Sequence, residues 1–130
     1  MSQGAVRPIS AWALVSDLFL RTKVEALARG AGVSVRFFSS PDELVGALDQ
    51  ARLATAMPAL VLTDLSDPGG RGLLLLERLA RVTSPPTLGF YSHVEDHVRQ
   101  RALDLGVTRV VPRSAFVLRF ADLVKQTISA

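Results

Sequence analysis

The chain has 130 residues, 48% hydrophobic and 21% charged, with no cysteine. That balance supports one compact core and excludes a disordered tail, disulfides, thiolate metal sites and cysteine nucleophiles. A net charge of +3 spread over scattered basic residues, with few aromatics, lacks the basic run and stacking surface of a nucleic-acid binder. The longest apolar stretches, 59–62 and 73–76, fall far short of the roughly 20 residues needed to cross a bilayer. With no secretory signal in the first eight residues, a cytoplasmic location is the default expectation.

Apolar runs of strand length alternate with stretches of helical period. Ala11–Val15 reads as a strand, followed by Leu20, Val24, Leu27 and Ala31 at helical spacing before Gly32. Val33–Phe38, rich in β-branched and aromatic residues, is a second strand. Ser40-Pro41-Asp42-Glu43 then opens a helix: the Ser40 hydroxyl caps it, Pro41 needs no N–H in the first turn, and Glu43 completes a capping box. Leu44, Ala47, Leu48 and Ala51 form its buried stripe. Ala59–Thr63 has no polar alternation, as expected of a central strand covered on both faces. After a loop over 64–71, Gly72 opens a helix with Leu73, Leu76, Leu79 and Ala80 facing the core. Pro85-Pro86 resets the chain into the strand Thr87–Tyr91, followed by a helix from about Glu95 to Leu105 and a strand over Thr108–Val111. Ser114 is placed to cap a last helix, in which Phe116, Phe120, Leu123 and Val124 face the core. Val117 and Leu118 lie off that stripe and add exposed apolar surface.

Five strand signals alternating with five helix signals imply a doubly wound α/β domain, a parallel sheet with right-handed crossovers and helices on both faces. Ligands in such sheets gather at the carboxyl ends of the strands. Those positions hold Ser16 and Asp17, Asp64, Tyr91 and Ser92, and Pro112 and Arg113. The carboxylates of Asp17 and Asp64 repel each other unless a hard cation such as Mg²⁺, or Arg113, sits between them. His93 and His97 have metal-ligand spacing but no third ligand, and are expected to face solvent. Pro68–Gly72 lacks the Lys-Ser/Thr ending of a nucleotide-binding loop, and no Ser-His-Asp set is evident, so a turnover enzyme is not expected.

The segment Asp64-Leu65-Ser66-Asp67-Pro68-Gly69-Gly70-Arg71-Gly72 has Pro four residues and Gly eight residues after its first Asp, and Gly106 lies seven residues before Arg113. In this pattern the chain resembles the bacterial response-regulator receiver domain over nearly its whole length, with a core of about residues 10–129 in a single domain. The resemblance implies a flavodoxin-like five-stranded sheet of order 2-1-3-4-5. It makes Asp64 the phosphoacceptor and assigns Mg²⁺ to Asp17, Asp64 and the backbone carbonyl of Ser66. It also implies a hydroxyl switch residue after the fourth strand and an output face built from the fourth helix, fifth strand and fifth helix.

Three positions depart from the family's pattern. Ser16 stands where an acid adjacent to Asp17 is usual, which weakens the Mg²⁺ site. The switch position falls on Tyr91, with Ser92 one place later, and both remain candidates. Arg113 stands at the position of a nearly obligatory Lys, a planar fork in place of a compact charge. The expected function is therefore a stand-alone pseudo-receiver acting by protein–protein contact through a degenerate site. Its partners would be a signalling protein, a histidine kinase, or a second copy of the chain joined through the fourth helix, fifth strand and fifth helix. One alternative is a working phosphoacceptor at Asp64 fed by a histidine kinase. Another is a small-molecule or nucleotide sensor using the strand-end crevice.

Overall fold

In the computed structural model, which describes residues 7–92 and 96–130, the apolar runs become five parallel strands. They are β1 (Ile9–Leu14), β2 (Val33–Phe38), β3 (Leu60–Asp64), β4 (Thr87–Tyr91) and β5 (Arg109–Pro112). The sheet order is β2-β1-β3-β4-β5, as the resemblance implies. Every residue of β3 is buried, which explains its lack of polar alternation.

The helices are α1 (Leu18–Ala31), α2 (Pro41–Leu53), α3 (Arg71–Leu79), α4 (Asp96–Asp104), α5 (Arg113–Leu118) and α6 (Phe120–Ser129). Alternation along β1 divides the core. Ala11 and Ala13 pack with Leu20, Val24 and Ala28 of α1 and with Phe116, Phe120 and Val124 of α5 and α6. Trp12 and Leu14 point to the other face, against Leu44 and Leu48 of α2 and Leu75 and Leu79 of α3. A smaller cluster of Leu65, Leu76, Ala102 and Val107 seats α4.

Caps follow the sequence at α1 and α2. Gly32 ends α1 in the left-handed conformation at φ 70°, and the Ser40 side chain accepts from the Glu43 N–H at 3.1 Å. The C-terminal helix differs from expectation. Pro112 occupies the N-cap position of α5, so Ser114 lies inside the helix and caps nothing. Arg119, at φ −122° and ψ 31°, divides α5 from α6 where one helix was expected. The anticipated stripe survives the break: Phe116 stacks on Phe90 with centroids 4.1 Å apart and meets Phe120 edge-on at 5.3 Å.

The stripe of α3 also needs correction. Leu75 joins Leu76 and Leu79 as a buried residue, Leu73 packs only half-buried against the cluster that seats α4, and Ala80 is exposed. Glu95, the expected start of α4, and His93 lie outside the described residues. No helix among the described residues is long and apolar enough to cross a membrane.

Candidate functional site at the strand ends

Asp64 closes β3 beside Phe90 of β4, with its side chain only 5% exposed. Its Oδ1 accepts the Ser66 N–H at 2.9 Å, and its Oδ2 lies 3.8 Å from Nη2 of Arg113. Burial pushes the carboxyl above the usual range. The Ser66 N–H and the Arg113 guanidinium act against that shift, while the charges of Asp67 and Asp17 add to it. The following turn comes back on the strand: the Thr63 hydroxyl donates to the Gly72 carbonyl at 3.1 Å. A Cβ at Gly72 would sit 2.0 Å from the Asp64 carbonyl oxygen, so no other residue fits there without moving backbone.

Asp17 and Ser16 follow β1. Asp17 is the N-cap of α1, its Oδ1 accepting the Leu20 N–H at 3.1 Å. The Ser16 hydroxyl donates to Oδ1 of Asp67 at 2.5 Å. Arg71, at the start of α3, grips the same carboxylate with Nε on Oδ2 at 2.9 Å and Nη2 on Oδ1 at 3.0 Å. Its Nη2 also reaches the Ser16 hydroxyl at 3.2 Å. The N–H groups of Gly69 and Arg71 both donate to Oδ2 of Asp67 at 3.1 Å. Burial alone would raise the Asp67 carboxyl, but the hydrogen bonds from Arg71 and Ser16 outweigh it and hold the pKa at about 2. This Ser16–Asp67–Arg71 cluster is absent from the sequence reading. The available signal was an acid and a base four residues apart at a helix start.

Ser66 joins two strand ends. Its N–H serves Asp64, and its hydroxyl accepts the Ser92 N–H at 2.8 Å. Two hydrogen bonds thus connect the Asp64 carboxylate to the residue after β4. Tyr91 is half-buried against the Leu65, Leu76, Ala102 and Val107 cluster, whereas Ser92 is exposed. A groove of about 400 Å³ runs between Tyr91, Ser92, Pro112, Arg113, Ser114 and Val117. Nε of Arg113 is buried and has no hydrogen-bond partner among the described residues.

The donors for the implied Mg²⁺ are compromised. Asp17 spends an oxygen on its helix, Asp64 backs onto Arg113, and Ser16 is held between Asp67 and Arg71. Among the described residues no three acidic or histidine side chains gather as a metal set. Such a site does not fit a tightly held divalent cation, which needs several free anionic oxygens in octahedral geometry.

By sequence, no family model and no curated protein matches this chain. By structure, it is similar to a response regulator receiver protein from Burkholderia phymatum, with TM-score 0.74 and 22% identity over 94% of this chain and 95% of that one. The BeF3-activated N-terminal receiver domain of Klebsiella pneumoniae RstA aligns with TM-score 0.77 and 16% identity over 93% of this chain and 99% of that one. The response regulator domain of Thermotoga maritima CheB gives TM-score 0.73 and 14% identity over 95% of this chain and 98% of that one. The strand order, the helices on both faces and these likenesses agree: the chain has the flavodoxin-like fold of response-regulator receiver domains.

Proposed function

We propose that the chain is a pseudo-receiver, a two-component signalling module of one domain that acts in the cytoplasm by protein–protein contact and turns over no substrate. The observation that carries this reading is the engagement of Asp64. Its side chain is 5% exposed, with one oxygen on the Ser66 N–H and the other facing Arg113. A phosphoacceptor carboxylate needs an oxygen open to the incoming phosphorus along its line of approach, and little of this carboxylate is open. The partner is a signalling protein or a histidine kinase, or a second copy of the chain meeting α4, β5 and α5. Any Mg²⁺ bound by Asp17, Asp64 and the Ser66 carbonyl is held weakly.

The hydrogen bonds that connect the Asp64 carboxylate through Ser66 to Ser92 favour a second reading, in which Asp64 accepts a phosphoryl group from a histidine kinase. There the Asp64 oxygen bonds to phosphorus as the P–N bond of the phosphohistidine breaks and the imidazole leaves with its electron pair. Arg113 would hold the product's charge, and Ser92 or Tyr91 would transmit the switch. Intact-mass measurement after incubation with a small phosphodonor and Mg²⁺ separates the two, with Asp64→Asn as control. The pseudo-receiver gains no Asp64-dependent mass. A stable addition of one phosphoryl group, lost in Asp64→Asn, would establish the second reading instead.

A further inference from the structure

Three carboxylates, Asp17, Asp64 and Asp67, share one end of the sheet closely enough that Asp17 and Asp67 both raise the Asp64 carboxyl. Two guanidiniums oppose them. Arg113 faces Asp64 at 3.8 Å, and Arg71 is locked on Asp67 by paired bonds of 2.9 and 3.0 Å. Arg71 does more than neutralise its helical neighbour. Its bond to the Ser16 hydroxyl places the cation at the end of β1, across 55 residues of sequence and directly before Asp17. Both Asp67 oxygens are filled by Ser16, Arg71 and two backbone N–H groups, so neither retains a free lone pair for a metal.

Resting on the reading of these strand ends as a receiver-type site, we propose that Arg71 is a resident counter-cation. Its guanidinium, fixed on Asp67 and Ser16, takes the place of a divalent metal and keeps Mg²⁺ from the strand-end carboxylates. The geometry suits that role: a bidentate fork neutralises a carboxylate without the dehydration that Mg²⁺ resists. Removing the guanidinium deletes a positive charge and releases a nearly buried carboxylate, and both changes favour a divalent ion.

Calorimetric titration of the whole chain with Mg²⁺ alone tests this, with thermal unfolding in the presence and absence of Mg²⁺ as a second readout. Wild type is expected to take up no saturable Mg²⁺ in the low millimolar range. Arg71→Ala and Arg71→Gln are expected to bind one equivalent at least about tenfold more tightly and to gain thermal stability from it. Arg71→Gln retains hydrogen-bonding capacity and decides the matter should Arg71→Ala fold poorly. Adding Asp64→Asn to Arg71→Gln should abolish the uptake. Saturable Mg²⁺ binding by wild type as tight as by the variants, or none by folded Arg71→Gln, would overturn the proposal. So would uptake that survives Asp64→Asn, since the ion would then sit elsewhere. Metal uptake by the free chain is independent of whether Asp64 accepts a phosphoryl group, so this proposal and the functional reading can fail separately.

Discussion

Asp67 owes its low pKa to partners that exist only in the folded chain, so its charge is linked to folding. A carboxyl at about 2 when folded and near 3.8 when unfolded stabilises the native state above pH 3.8. That contribution is lost as pH falls from 3.8 through 2. Solvent reaches the pair from the Arg71 side, which is 41% exposed, and screens it, so the carboxylate contributes about 1 kcal/mol. In urea titrations Asp67→Asn should therefore be less stable than wild type by about that amount at pH 7. The gap should narrow across the acid window; a constant gap down to pH 2 would show that charge is not its source. The placement of Asp64 and Arg113 at the carboxyl ends of the strands was legible from sequence, because each directly follows or closes an apolar run of strand length. The role of Asp67 was not, because Ser16 and Arg71 meet only when β1 and α3 are brought together. Asp17 caps α1 through one oxygen, a role that an Asp just before a helical stretch is suited to fill.

Local chemistry made some elements readable and left others undetermined. Ser40-Pro41-Asp42-Glu43 announces α2 through short-range bonding, and the structure shows Ser40 capping the Glu43 N–H with Pro41 as the first helical residue. The four consecutive leucines of α3 carry no periodic signal, so the choice between Leu73 and Leu75 fell to packing on β1 and α2. The break at Arg119 has no proline or glycine to mark it. Helical contacts continue across it, with the Arg119 N–H on the Ala115 carbonyl and the Leu123 N–H on the Arg119 carbonyl, both at 2.9 Å. What secures α5, a helix of six residues, is Phe116, fully buried between Phe90 and Phe120. Phe116→Ala should cost about 3 to 5 kcal/mol, read as a lower urea midpoint with little change in slope. A loss below about 1 kcal/mol would mean that α5 is held by other contacts.

At the scale of the whole chain, one sheet separates two core layers and both depend on it. Trp12 reports on the α2 and α3 side, where its ring meets Phe38 at 5.2 Å, while far-ultraviolet circular dichroism reports on all helices. Because β1 and β3 contribute side chains to both layers, the two signals should change together in urea as one transition. Tryptophan emission changing before helical content would indicate that one layer loosens separately. The layered architecture was legible from alternation alone, but the strand order came through the family resemblance, since periodicity does not say which strands are neighbours. Large apolar side chains remain on the surface at Phe19, 90% exposed, and Leu118, 85% exposed. Of the two only Leu118 was anticipated, from its place off the last helix's stripe; Val117, expected beside it on the surface, is half-buried against the core.

The contact between Gly72 and the Asp64 carbonyl bears on how the chain's ancestry is inferred. A side chain at position 72 collides with backbone whether or not any phosphate ever reaches Asp64. Selection for folding alone would therefore keep this glycine in a lineage that had abandoned phosphotransfer. The Asp-to-Gly interval is a requirement of this turn's architecture, met whatever chemistry Asp64 performs. Positions 16 and 113 lie outside that contact, so a difference in chemistry would show there without breaking the turn.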